Sequence, residues 1–145
     1  MEINRFKEVQ IGLFNKKFSI EVMPKTAQKV TDFSEILPSK TLVYIAHLED
    51  TNISDMKHTC KRLIDEDMIP MPHIPARILK SFLELEEWVA QYADVGVKRC
   101  LLLAGNNKTP KGSLNSSIQL LETGFFEKYG YEYINVAGHP EGNPD

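Results

Sequence analysis

Glu21 sits between Ile20 and Val22 in the apolar stretch Phe18-Ser19-Ile20-Glu21-Val22-Met23. A carboxyl carried into an apolar interior is costly to ionise, and that suits it to deliver a proton. The competing reading turns Glu21 outward or pairs it with Lys25. His73 lies in Pro72-His73-Ile74 and reads either as a ligand contact or as a hydrogen-bonded structural histidine. His47 and Glu49 read as a strand-end hydrogen bond, and Gly105-Asn106-Asn107 as a turn carrying two amide side chains. Gly138-His139-Pro140-Glu141-Gly142-Asn143 is more specific, because Pro140 and Gly142 fix an unusual backbone around polar groups. His58 falls inside a helical pattern and reads as solvated, as does the basic turn Lys108 to Lys111. The chain has no P-loop pattern, and no GxGxxG follows its first strand. No Cys/His pair has the spacing of a structural zinc site.

These residues need elements to position them. Phe18 to Met23 reads as a strand stopped by Pro24, and Ala27, Val30 and Phe33 recur at helical spacing. Leu42 to Ala46 is a second strand, followed by a helix from about Ser54 with Met56, Cys60, Leu63 and Ile64 on its apolar face. Ile69 to Ile74 is a third extended stretch, though Pro70, Pro72 and Pro75 argue against a central strand. Ile78, Phe82, Leu85, Val89 and Tyr92 then form one helical stripe, ended by Gly96. Cys100 to Ala104 is a buried strand. Ser113 caps a fourth helix with Leu114, Ile118, Leu121 and Phe125 on its face, ending at Gly130. Tyr131 to Ala137 is a fifth strand.

The order is βαβαβαβαβ, an α/β chain with a parallel sheet and right-handed crossovers. Residues 1–145 read as a single domain, an incomplete (β/α)8 barrel covering strands one to five, with an open doubly wound five-stranded sheet as the alternative. The doubly wound alternative of the flavodoxin type would order its strands 2-1-3-4-5, and a barrel wall would order them 1-2-3-4-5. In both, ligands bind at the C-terminal ends of the strands. Those ends carry Glu21, Lys25 and Thr26, then His47, Glu49 and Asp50, then His73 and Arg77, then Gly105 to Asn107, then Gly138 to Asn143. Three of the four histidines fall there. Such convergence is the pattern of a small-molecule site. The net charge of −3 argues against nucleic acid as a main partner. No apolar run is long enough to span a bilayer, and the N-terminus lacks a signal-peptide core. Cys60 and Cys100 form no CxxC and read as buried thiols of a cytoplasmic protein.

Read together, the strand ends resemble a known family. Phe18 to Thr26 resembles the first-strand motif of the methylenetetrahydrofolate reductase family, a glutamate before a Pro-rich turn. Pro72-His73-Ile74 is similar to its third-strand histidine motif. Leu103-Ala104-Gly105-Asn106 falls where the family usually has Leu-Arg-Gly-Asp, and Val136 to Pro144 is similar to its fifth-strand motif. The resemblance implies a (β/α)8 barrel that binds FAD and uses NAD(P)H to reduce 5,10-methylenetetrahydrofolate to 5-methyltetrahydrofolate. It implies Glu21 as the general acid that protonates the leaving nitrogen. It implies His73, Gly105, Asn106, Ala137, His139 and Asn143 as cofactor contacts, with Glu21 and Asn106 also meeting the folate. Ala104 stands where the family has arginine, Asn106 where it has aspartate and Asn143 where it has histidine. These departures suggest a second reading, a relative with weakened or lost flavin binding that holds folate without catalysis or oxidises methyl-folate. Family members also draw folate contacts from later strands, so these 145 residues alone are expected to turn over poorly and to associate through exposed strand edges.

Overall fold

The computed structural model describes residues 18–138. Five parallel strands, β1 (Ser19–Val22), β2 (Leu42–Ile45), β3 (Ile69–Pro75), β4 (Arg99–Leu103) and β5 (Tyr133–Val136), form one sheet in the order β1-β2-β3-β4-β5. The helices between them are α1 (Pro24–Ala27), α2 (Ile53–Asp65), α3 (Phe82–Asp94), α4 (Ser117–Leu121) and α5 (Phe125–Lys128). Short 3-10 turns lie at Phe33–Glu35 and Ala76–Ile78. The order is sequential, so the 2-1-3-4-5 arrangement does not occur. No described helix is long and apolar enough to cross a membrane.

The core lies on one face of the sheet. Val43, Ile45, Ile74, Cys100 and Leu102 point there and are buried with Met56, Cys60 and Leu63 of α2 and Leu85, Val89 and Tyr92 of α3. Period-two alternation sends their neighbours to the opposite face. That face carries Glu21, Tyr44 and Met71 in one lateral row and His73, Leu101 and Asn135 in the next. Side chains from alternate strands meet on it. Glu21 of β1 lies 3.5 Å from His73 of β3, and the Asn135 amide of β5 donates to Met71 Sδ of β3 at 3.6 Å. Met71 is only 1% exposed although no helix among the described residues covers that face.

The three prolines do not demote β3, which is seven residues long and central. The Ile69 N–H donates to Thr41 O, toward β2, so the two-residue period turns Pro70 and Pro72 toward β4. Pairing with β4 begins only at His73, so neither missing donor is needed.

Helix boundaries differ from the sequence expectation in four places. Asn52, not Ser54, caps α2, accepting the Asp55 N–H at 2.8 Å. Ile78 lies in a 3-10 turn, and α3 starts after Ser81, whose hydroxyl accepts the Glu84 N–H at 3.1 Å. The Ala27-Val30-Phe33 stripe is split between α1 and a 3-10 turn. The fourth helix is two short ones. Ser116 and Gln119 form a capping box for α4, and Gly124 at φ +70 breaks the chain before α5. Leu114 is buried as expected, but the break moves the rest of the buried face to Leu120 and Phe126, leaving Ile118 and Leu121 exposed. The fifth strand is also shorter than expected.

Candidate functional site

The ends of β1 to β4 enclose a cavity of about 400 Å³. Its polar lining is Glu21, His47, Glu49, His73, Asn106 and Asn107, and its apolar walls include Ala46, Leu48, Pro75, Ile78 and Leu103. Gly105 lines it as well. Its φ of +93 favours glycine, and an added Cβ would lie 3.1 Å from Pro75 Cβ. A second, more open cavity of about 600 Å³ extends across the helix-free face, lined by Glu21, Tyr44, Leu101, Ile134, Asn135 and Val136. Glu21 belongs to both. Glu21, His73, Gly105 and Asn106 are therefore brought together. Ala137 follows β5, its N–H donating to Leu102 O at 3.0 Å, and lines neither cavity. His139, Glu141 and Asn143 lie outside the described residues.

Glu21 is not carried into an apolar interior. Its side chain is 60% exposed, on the face of the sheet opposite the core. Among the described residues no ion pair joins it to Lys25. Its ionic neighbour is His73, 3.5 Å away.

The burial falls instead on two imidazoles. His73 Nε2 is buried and makes no hydrogen bond among the described residues, with the Glu21 carboxylate 3.5 Å away. Burial pulls the His73 pKa below its usual value, opposed by the Glu21 carboxylate. The Tyr44 ring meets it edge-on, with centroids 6.0 Å apart. His47 does not bond to Glu49. Its Nε2 lies 3.1 Å from Thr51 O, and its ring stacks on Trp88 at 4.4 Å between centroids. Desolvation lowers its pKa to about 4. Trp88 is invisible as a site residue in the sequence, because it sits on a helix 41 positions away.

The remaining strand-end groups are committed elsewhere. The Thr26 hydroxyl closes a local turn with Met23. Lys25 and Asp50 line a separate small depression. Arg77 holds the loop after β4, donating through Nε to Asn115 Oδ1 at 2.8 Å and through a terminal nitrogen to Asn107 O at 3.3 Å. The basic turn is not wholly solvated, since Lys111 pairs with Glu49 at 2.9 Å. That ammonium and the Asn107 side chain hold the Glu49 carboxyl below its usual pKa. His58 is exposed on α2, and both thiols are buried. Burial pushes Cys100 up to about 12, so neither it nor the equally buried Cys60 is poised as a thiolate. No cluster of metal ligands occurs among the described residues.

The arrangement offers two carboxyls, Glu21 and the Lys111-paired Glu49, with two neutral imidazoles and two amides around an apolar slot. It can seat a flat heterocycle, hydrogen-bond its edges and pass a proton to it. No model of a known protein family matches this chain.

Proposed function

We propose that this chain carries the folate and flavin site of a methylenetetrahydrofolate reductase-like cytoplasmic enzyme, built on five successive strands of a (β/α)8 wall. The approach of Glu21 to His73, 3.5 Å apart at the mouth of one cavity, is the observation that carries the reading. Side chains of β1 and β3, and of β3 and β5, interleave on the helix-free face. Barrel interiors are filled in this way, by layers drawn from alternate strands. The sequential strand order and the core on a single face favour the same architecture. The free edges of β1 and β5 would carry association.

The residues present fit a flavin ring. The slot has apolar walls, and the buried His73 Nε2 makes no hydrogen bond among the described residues. FAD, when bound and charged by NAD(P)H, would supply the hydride for the one-carbon unit of 5,10-methylenetetrahydrofolate. Glu21 would hold the proton that the leaving nitrogen needs, at the exposed junction of the two cavities where substrate can reach it. His73 would orient the carboxyl and hydrogen-bond the ring edge. Asn106 would bond the pterin edge through its amide, without the charge of an aspartate.

Two substitutions favour a second reading, a folate-binding relative that has lost flavin. Ala104 and Asn106 each remove a charge that the resemblance leads one to expect. Purification separates the two. A flavin absorbance spectrum that persists through gel filtration supports the enzyme. A colourless protein that binds tetrahydrofolate supports the second reading. In the enzyme, Glu21→Gln keeps the flavin and lowers turnover by about 10²-fold or more, and Asn106→Asp raises it.

A further inference from the structure

His47 lines the same cavity as His73 and has no role in the reading above. It is 6% exposed. Its Nε2 faces the Thr51 carbonyl, and a carbonyl only accepts, so Nε2 carries the ring proton. The lone pair of the neutral ring is then on Nδ1. That atom is buried and has no partner among the described residues. Native proteins rarely leave a buried acceptor empty, because its lost hydration goes uncompensated. The ring cannot turn away to find water. Trp88 stacks flat against it, 14° from coplanar, and the Thr51 bond fixes the other edge.

We propose that His47 is a ligand-binding residue of this cavity, accepting a hydrogen bond at Nδ1 from a hydroxyl or N–H group of the bound molecule, with Trp88 as its positioning residue. The inference rests on the cavity being a binding site, as in the reading above, and not on which molecule fills it.

The groups facing His47 come from three elements. His73 approaches from β3, Glu84 and Trp88 from α3, and Thr51 from the loop that follows β2. Glu49 in that loop is occupied by Lys111. Burial keeps the ring neutral near pH 7. Protonation at Nδ1 in acid would convert the acceptor to a donor and expel a donating ligand.

Trp88 is the only tryptophan in the chain, so its emission reports occupancy beside His47. The test titrates the full chain with FAD and, separately, with tetrahydrofolate, following Trp88 emission. His47→Phe keeps a ring on Trp88 without an acceptor. His47→Asn places an amide oxygen near the position of Nδ1. For at least one probe, the phenylalanine variant is expected to bind about tenfold or more weakly, a loss the asparagine variant largely restores. Wild-type affinity should also fall as pH drops toward 4, and this measurement needs no variant. Binding of both probes that is unchanged by His47→Phe and flat in pH overturns the inference and leaves the folate reading standing. Failure of both probes to bind overturns the two together.

Discussion

His47 and His73 have a consequence for stability that can be read from the direction of their shifts. An unfolded chain protonates His47 near the ordinary 6.5, and the native ring resists until about 4. Between those values the unfolded state binds more protons, so stability is full above about pH 6.5, falls as pH drops to about 4, and is flat below that. The shift corresponds to about 3 kcal/mol across the window. His73 acts in the same direction. Urea midpoints at pH 7 and pH 4.5 should show this loss, and His47→Phe should remove much of the difference. Asp32, Glu49, Asp67 and Glu86 are held low by hydrogen bonds or cations. Their contributions are lost only as pH falls through the carboxylate range, so the two effects separate. Glu21 and His73 could be picked out in the sequence as ionisable groups inside apolar stretches, and Gly105 and Asn106 because they follow an apolar run. His47 was legible as a strand-end polar group, but its partners were not. The Thr51 carbonyl and the Trp88 ring reach it only through folding, and no local pattern records them.

At the scale of elements, the segment before β2 is tied to α2 by the Arg62–Glu66 pair. Arg62 of α2 donates to Ala27 O at 2.8 Å, Val30 O at 2.6 Å and Thr31 O at 3.1 Å. Its Nε meets Glu66 at 2.6 Å, and the other Glu66 oxygen accepts the Phe33 N–H at 2.7 Å. This pair is largely buried, at 22% and 17% exposed, so removing one member strands the other. Arg62→Met should cost about 2–4 kcal/mol and speed amide exchange in residues 27–35. The loop after β4 has its own constraint. A Cβ at Gly112 would lie 2.2 Å from the Lys80 carbonyl oxygen, so Gly112→Ala should cost about 1–3 kcal/mol by overpacking, read as a lower urea midpoint. Neither contact was legible in the sequence, since both are long-range. The alternation of strands and helices was, because hydrophobic period alone sets it. The exceptions follow local rules. Gly124 splits the last helix through a left-handed turn, and the phase of Pro70 and Pro72 lets a proline-rich stretch stay central.

For the whole molecule, strand order and the filling of the helix-free face are the decisive features. Alternate strands in a flat sheet lie about 9.5 Å apart, so contacts that skip a strand require side chains to converge on one concave side. NOEs between the Met71 methyl and the Asn135 side-chain amide should therefore be present, and their absence would indicate a flatter sheet. The architecture also explains the placement of the site. All strands run the same way, so every strand end that carries a polar group opens on one rim. The sequence could suggest that convergence. It could not supply the distance from Glu21 to His73, which depends on the curvature across β2.

Equilibrium binding to the full chain tests this directly. FAD and tetrahydrofolate should each bind the wild-type protein, and the triple variant Glu21→Gln, His73→Ala, Asn106→Ala should lose about tenfold or more in affinity for at least one of them while keeping its fold by circular dichroism. Wild-type protein that holds neither molecule, or a triple variant that binds both as tightly as wild type, would contradict a shared site at these strand ends.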